Sequence, residues 1–351
     1  MASLSRSYYH SHRRATPFLG RSMGQHLYLI AEQNPDKEMY VFYADKERKT
    51  FKQMKEESQS LAASFLSLGL NTGDRIGVWG GNHFEWLVTY CACMQLGIVL
   101  VHIRMDFPLT TQKELLKKIG CKALVLTRTP ESVYDSVCEI IPELRSCEPD
   151  KLKCEALPDM KFVVIGGQKH KGKSGTLHLD DLILQGSTSN NRNNVAEICL
   201  KINMDAPQII IFTSGSTGFP KAVTHPSHSL LNFMHGDSHY RGDVADYKQP
   251  WETKFALIMN LAGVGAQMGA LLPLARGCTT VVVSPAYDKD VLAKALHDEK
   301  CTDSFMLIHH VNDLLELPYL NTLDFSSMQI IIAGGSIISG ALREEPTQLP
   351  K

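Results

Sequence analysis

The chain is predicted to be an α/β protein with doubly wound, mostly parallel sheets and helices on both faces. Three observations lead there. From residue 32 onward, short apolar runs alternate with stretches of helical periodicity. Glycines stand at the joints, among them Gly69, Gly73, Gly97, Gly120 and Gly277. Length and composition allow a large core, with 351 residues of which 44% are hydrophobic and 21% charged.

The elements follow in order. Tyr40 to Tyr43 is a short strand. Thr50 caps a helix to Leu68, with Leu61, Phe65 and Leu68 on one face and Gly69 at its end. Gly73-Asp74 turns into a strand from Arg75 to Trp79. Gly80-Gly81-Asn82 turns again, into a helix from Phe84 to Leu96. Gly97 ends that helix, and Ile98 to Ile103 is a strand. Thr110 to Ile119 is helical and Ala123 to Leu126 is the next strand. Val133 to Ile141 is a helix and Phe162 to Ile165 a strand. Ser187 to Asn194 is polar without periodicity and is expected to be a linker. Ile209 to Phe212 is a buried strand, and Ser227 or Ser229 caps a helix through Leu230, Leu231 and Phe233. Phe255 to Met259 is a strand. Val264 to Leu272 is an apolar helix, expected to end at Pro273 and Gly277. Thr279 to Val283 is a strand, Asp290 to Glu299 an amphipathic helix, and Phe305 to Ile308 a strand. His309 to Leu315 is a helix, and Gln329 to Ala333 a strand running into Gly334-Gly335-Ser336.

Charge and cysteine usage exclude several classes. Net charge is −1, so nothing favours nucleic acid. Nine scattered cysteines show no zinc spacing and read as reduced thiols. The uncharged run Trp86 to Ile103 is long enough to raise a membrane span, but Gly97 cuts it and Thr89, Gln95 and His102 dilute it; a buried helix and strand are expected. Residues 1–31 lack Asp and Glu and carry Arg6, Arg13, Arg14 and Arg21 among several serines. That is the composition of a mitochondrial presequence, with a cytoplasmic protein and an ordinary basic terminus as the alternative.

Two segments could cradle phosphate. Gly167 to Ser174 matches G-x-x-x-x-G-K-[ST] after a strand, the pattern of a P-loop nucleotidase. That mechanism requires a helix beginning at the Lys-Ser pair, and Gly175-Thr176 start helices poorly. The second segment is Thr213-Ser214-Gly215-Ser216-Thr217-Gly218-Phe219-Pro220-Lys221. A strand feeds a loop of small residues rich in hydroxyls, and a Lys follows. Glycines let backbone N–H groups turn towards one anion, hydroxyls add donors, and the ammonium supplies a point charge.

This second segment resembles the phosphate-binding signature of the adenylate-forming enzymes, which include acyl-CoA synthetases, luciferases and peptide-synthetase adenylation domains. The family usually has Gly after the Lys; here it is Ala222. T-F-K-Q-M at 50 to 54 and G-D-R-I-G-V at 73 to 78 are similar to further family segments. With the presequence-like start, they make the chain most similar to the mitochondrial medium-chain fatty acyl-CoA ligases within that family.

The resemblance implies the N-terminal domain of the adenylate-forming fold, in incomplete form. It implies ATP with Mg, CoA as co-substrate, and a fatty acid or other carboxylic acid. Thr213, Ser214, Ser216, Thr217 and the loop amides would hold the β- and γ-phosphates, and Lys221 would offset their charge. Gly334, Gly335 and Ser336 would form the small-residue turn against the adenine. The family's aromatic-or-His substrate motif falls near Met259-Asn260, where this chain has neither. His225, His228, His235, His309 and His310 are not at metal-ligand spacing with carboxylates. The family's Tyr-Gly-x-Thr-Glu segment, its ribose-binding Asp and its C-terminal Lys have no counterpart before Lys351, so no catalytic residue is assigned. The expected organisation is a presequence-like segment at 1–31, a first α/β subdomain at 32–186, a polar linker at 187–204, an incomplete second subdomain at 205–341 and a polar tail at 342–351. The function so implied is an ATP-dependent acyl-CoA ligase in truncated form. The alternatives are a non-catalytic nucleotide- or partner-binding remnant of the fold and a P-loop nucleotidase.

Overall fold

The computed structural model describes residues 17–128, 131–213, 218–235 and 252–334. In chain order the strands are β1 (Glu38–Phe42), β2 (Glu47–Thr50), β3 (Arg75–Trp79), β4 (Val99–Ile103), β5 (Ala123–Leu126), β6 (Phe162–Ile165), β7 (Thr176–His178), β8 (Pro207–Phe212), β9 (Ala222–Pro226), β10 (Lys254–Leu257), β11 (Thr279–Val282), β12 (Asp303–Leu307) and β13 (Ile330–Gly334). The helices are α1 (Met23–Gln33), α2 (Phe51–Ser67), α3 (Phe84–Leu96), α4 (Leu109–Ile119), α5 (Glu131–Ile140), α6 (Leu179–Ser187), α7 (Asn191–Lys201), α8 (Ser227–His235), α9 (Ala266–Arg276), α10 (Lys289–Asp298) and α11 (Ile308–Leu315).

Among the described residues the strands form two sheets, in the orders β7-β6-β5-β3-β4-β8-β9 and β13-β12-β10-β11-β1-β2. Pairing is parallel except at one edge of each sheet, where β9 runs antiparallel to β8 and β2 antiparallel to β1. Side chains alternate across buried strands, as the two-residue period requires. On β4, Leu100 faces the core between the sheets, while Val101 and Ile103 face the core under α4 and α5. On the second sheet, Tyr40, Phe42 and Leu257 face the shared core. Val41, Ala256 and Val281 face the core under α10 and α11. Helices therefore cover both faces of each sheet.

Local chemistry sets the element ends. Thr50 Oγ1 accepts from Gln53 N–H at 3.2 Å, and Gln53 Oε1 accepts from Thr50 N–H at 2.9 Å, a reciprocal cap on α2. Gly97 takes φ 64° at the end of α3. Every residue of α3 is buried, which accounts for the uncharged run up to Ile103. No helix among the described residues is long and apolar enough to cross a membrane.

The structure departs from the sequence expectation in four places. The two sheets do not follow the boundary expected near residue 187. Strands β1 and β2 join the second sheet, and β8 and β9 join the first, through the registers Tyr40↔Thr280 and Leu100↔Ile209. The segment expected as a linker at 187–204 holds α7, whose Val195 and Cys199 are buried at an i, i+4 spacing. The basic segment expected to reach residue 31 gives way earlier to α1, capped by Ser22 and Gln25 and burying Met23, Leu27 and Ile30. Residues 1–16 lie outside the described residues, as do the tail at 342–351 and Gly335-Ser336. Lastly, Pro273 does not end its helix but lies inside α9. Proline has no N–H for the carbonyl of Gly269, and the Thr280 hydroxyl donates to that carbonyl instead, at 2.7 Å.

Candidate nucleotide-binding hairpin and its cavity

The segment from Thr213 to Lys221 connects the two strands of an antiparallel hairpin. Phe212 pairs with Ala222, Ile211 with Val223 and Ile209 with His225. Ala222 thus occupies an ordinary ladder position. Two hydrogen bonds close the loop at its base. Thr213 N–H donates to the Lys221 carbonyl at 3.0 Å, and Lys221 N–H donates to Thr213 Oγ1 at 3.1 Å. Thr213 therefore clamps the loop while its O–H remains able to donate. Residues 214–217, hence Ser214, Gly215, Ser216 and Thr217, lie outside the described residues. Gly218 takes φ 140°, a backbone conformation that favours glycine, and a Cβ there would meet nothing within 4 Å. Phe219 is 44% exposed, Pro220 half-buried and Lys221 exposed. No ion pair among the described residues engages the Lys221 ammonium.

The hairpin leaves the carboxyl end of β8, which lies parallel to β4 in the first sheet. Ligands of open α/β sheets gather at such ends. Its lower half is anchored in the core. Gln208 Nε2 donates to the Ile98 carbonyl at 3.1 Å, and Ser227 Oγ donates to Gln208 Oε1 at 3.4 Å. Met23 N–H donates to the same Ser227 oxygen at 2.8 Å, tying α1 to α8.

Polar bridges hold the two sheets together nearby. Asn82 Nδ2 donates to the Met259 carbonyl at 3.0 Å, and Leu261 N–H donates to Asn82 Oδ1 at 2.8 Å. Asn82 follows two glycines and was legible only as a turn residue. Gly81 sits so close to Pro285 that a Cβ would lie 2.9 Å from its carbonyl oxygen. Arg128 reaches Glu85 of α3 at 2.7 Å and Glu47 of β2 at 3.0 Å.

The Met259-Asn260 stretch is a structural turn. Asn260 Oδ1 accepts from Ala262 N–H at 2.8 Å, a local Asx turn that occupies its side chain. Leu261 is buried, and its carbonyl meets His102 Nδ1 at 3.0 Å. A carbonyl only accepts, so His102 donates from Nδ1. Burial pushes its pKa down to about 4.

Beside the hairpin lies a cavity of about 460 Å³. Ile211 of β8 and His225 of β9 line it, with Leu230 and Phe233 of α8 and Gln267 and Met268 of α9. Its wall is mainly apolar. No local pattern signals it, because these lining residues are brought together from four separate elements.

The other sequence-singled residues separate from this site. Gly334 ends β13 opposite Leu307, and a Cβ there would lie 3.7 Å from Phe305, an ordinary contact. Nothing among the described residues demands a glycine at that position. His228 pairs with Asp205 at 3.3 Å, and His235 Nδ1 lies 3.3 Å from the Ala275 carbonyl. His310 stacks on Tyr287 at 4.2 Å beside His309. No group of three His, Cys, Asp or Glu among the described residues could hold a metal.

The P-loop pattern is not a P-loop. Gly167 takes φ 84°, Gln168–His170 is a single 3-10 turn, and the edge strand β7 follows at Thr176. No helix begins at Lys173-Ser174; α6 begins at Leu179. Lys173 Nζ lies over the Tyr134 ring at 5.4 Å, and Ser174 Oγ donates to the Arg145 carbonyl at 3.0 Å.

Comparison with known proteins agrees with the architecture. The chain is 31% identical over 328 residues to the mitochondrial medium-chain acyl-CoA ligase ACSF2 of Macaca fascicularis, a match covering 92% of this chain and 51% of that protein. The chain thus spans about half the length of the curated relatives it matches. In fold it is similar to the luciferase-like enzyme of the mealworm Zophobas morio, with a TM-score of 0.76 and 18% identity over 96% of this chain and 71% of that one. It is similar also to the N-terminal domain of FACL13 from Mycobacterium tuberculosis, with a TM-score of 0.71 and 19% identity over 92% of this chain and 72% of that one. Residues 28–349 match the AMP-binding enzyme family, and the chain belongs to it.

Proposed function

We propose that the chain carries the ATP-binding half-site and acyl cavity of an ATP-dependent medium-chain acyl-CoA ligase. One observation carries the reading: a loop closed by the Thr213–Lys221 clamp opens at a sheet's carboxyl end beside a largely apolar cavity of about 460 Å³. Polyphosphate would lie in the loop, held by hydroxyls and amides from Thr213 to Gly218, with Lys221 as counter-charge. An apolar acyl chain would lie in the cavity. The turn at Gly334, Gly335 and Ser336 would receive the adenine.

The chemistry runs in two steps. A carboxylate oxygen attacks the α-phosphorus of ATP and pyrophosphate leaves, giving an acyl-adenylate. The CoA thiol then takes the acyl group and AMP leaves. The residues here serve the first step, by positioning and charge neutralisation. Mg²⁺ keeps several waters and binds phosphate oxygens readily, so the polyphosphate itself, with hydroxyl oxygens of the loop, would hold it. A mitochondrial location is supported by the acid-free, Arg- and Ser-rich start and by the names of the ACSF2 relatives.

A second reading, a non-catalytic nucleotide-binding member of the fold, is favoured by Asn260, whose side chain is committed to its own turn. Acyl-CoA formation by the 351-residue chain would eliminate it. The primary test is binding of octanoyl-sulfamoyl adenosine against sulfamoyl adenosine. The octanoyl chain is expected to improve affinity about ten-fold or more by leaving water. Equal affinities would contradict the acyl cavity.

A further inference from the structure

We infer that the acyl cavity receives a medium-chain dicarboxylic acid, with His225 holding the carboxylate that does not react. The inference rests on the acyl-cavity reading above and deepens it to a substrate class.

Strand register fixes where His225 stands. It pairs with Ile209 across the hairpin, and Val223 pairs with Ile211. Residues two apart share a face of the ladder, so these four side chains point the same way, and Ile211 and His225 both border the cavity. Ile209 precedes Thr213 by four residues, which places His225 about 13 Å from the clamp of the phosphate loop along the strands.

The ring of His225 is half-buried. Among the described residues neither of its nitrogens has a hydrogen-bond partner, and neither is sealed from solvent. The neighbouring histidines differ, since His228 pairs with Asp205 and His235 meets the Ala275 carbonyl. Of the described groups that border the cavity, His225 alone can carry a charge, and that charge is positive. Ser229 is exposed, and its hydroxyl donates to the Pro226 carbonyl at 3.1 Å. Leu230, Phe233 and Met268 make the wall apolar. The His102 ring of β4 acts on His225 through its charge state, and burial pushes its pKa down to about 4, so it brings no positive charge at neutral pH.

An apolar passage with one cationic group at its far end complements a chain with an anion at its far end. A carboxylate there accepts from the imidazole N–H and favours the protonated ring, which makes the hydrogen bond charge-assisted. Because His225 is only half-buried, the carboxylate keeps part of its hydration and escapes the penalty of a sealed apolar site. An ammonium would meet like charge instead. With C–C bonds of about 1.5 Å, an extended chain of roughly ten carbons spans the distance from the loop to His225.

The experiment measures binding of acyl-sulfamoyl adenosines to the full 351-residue chain. The acyl groups are octanoyl and those of straight diacids from six to twelve carbons, each diacid with its far carboxylate free or as the methyl ester. The expected result is a free acid near ten carbons that binds about ten-fold tighter than its own ester. In His225→Leu the ratio of acid to ester falls to about one. If octanoyl improves on sulfamoyl adenosine but no free acid improves on its ester, the inference fails and the acyl cavity stands. If no acyl group improves on sulfamoyl adenosine, both fail. An acid preference that survives in His225→Leu overturns the role of His225. The wild-type series decides the substrate class by itself if that variant does not fold.

Discussion

Two loops of this molecule share a composition and differ in what their atoms do. Gly167 to Ser174 and Thr213 to Lys221 both follow buried strands of the same sheet, and both combine glycine, hydroxyls and lysine. In the first, the groups are engaged by the protein itself. Lys173 rests on Tyr134, Ser174 donates to Arg145, and Lys171 pairs with Asp181 at 2.6 Å. Gly175, just beyond, is wedged against Leu144, where a Cβ would lie 2.4 Å from the carbonyl oxygen. In the second, among the described residues, the protein engages the base of the loop through Thr213 and Lys221. Gly218 faces open space and Lys221 faces solvent. A phosphate motif is therefore better judged by where its donors are already committed than by its letters.

That contrast can be attacked from the stability side first. Gly175→Val adds bulk against Leu144 at φ 67°, and is expected to destabilise by about 3 kcal/mol, read as a lowered urea midpoint. Gly218→Ala has strain but no clash, and should cost about 1 kcal/mol. Equal costs would mean that the two loops are packed alike. Thr213→Val sharpens the point within the hairpin. It leaves Lys221 N–H without its acceptor and should cost about 1 kcal/mol, with weaker nucleotide binding. Thr213→Ser, which keeps the oxygen, should recover most of both. The smallest expected effect is Lys173→Ala, within about 0.5 kcal/mol in stability, since a half-exposed cation–π contact contributes little.

Much of the fold was legible because its signals are local. The strands Arg75–Trp79, Ala123–Leu126 and Phe162–Ile165 and the helix Phe84–Leu96 match the expected bounds. In each case an apolar run is bounded by turn residues or a capping glycine. Helix α7 was hidden because only Val195 and Cys199 carry its buried face amid asparagines. The extension of α9 past Pro273 was hidden because the compensating hydroxyl, Thr280, comes from the next strand. Sheet membership was hidden for a related reason. The pairing of β4 with β8 joins residues 100 and 209, and no local pattern encodes which distant strand is a neighbour. In the site, the Lys221 loop was legible as composition after a strand. The return strand β9, the Asn82 bridge and the cavity at Gln267 depend on contacts between distant segments.

The most direct measurement is ATP affinity by calorimetry for the wild-type chain, Lys221→Ala and Lys173→Ala, side by side with Mg²⁺ present. The account predicts that Lys221→Ala weakens binding about ten-fold or more, while Lys173→Ala binds as the wild type does. Loss of binding in Lys173→Ala with Lys221→Ala unchanged would place the nucleotide on the other loop and contradict it.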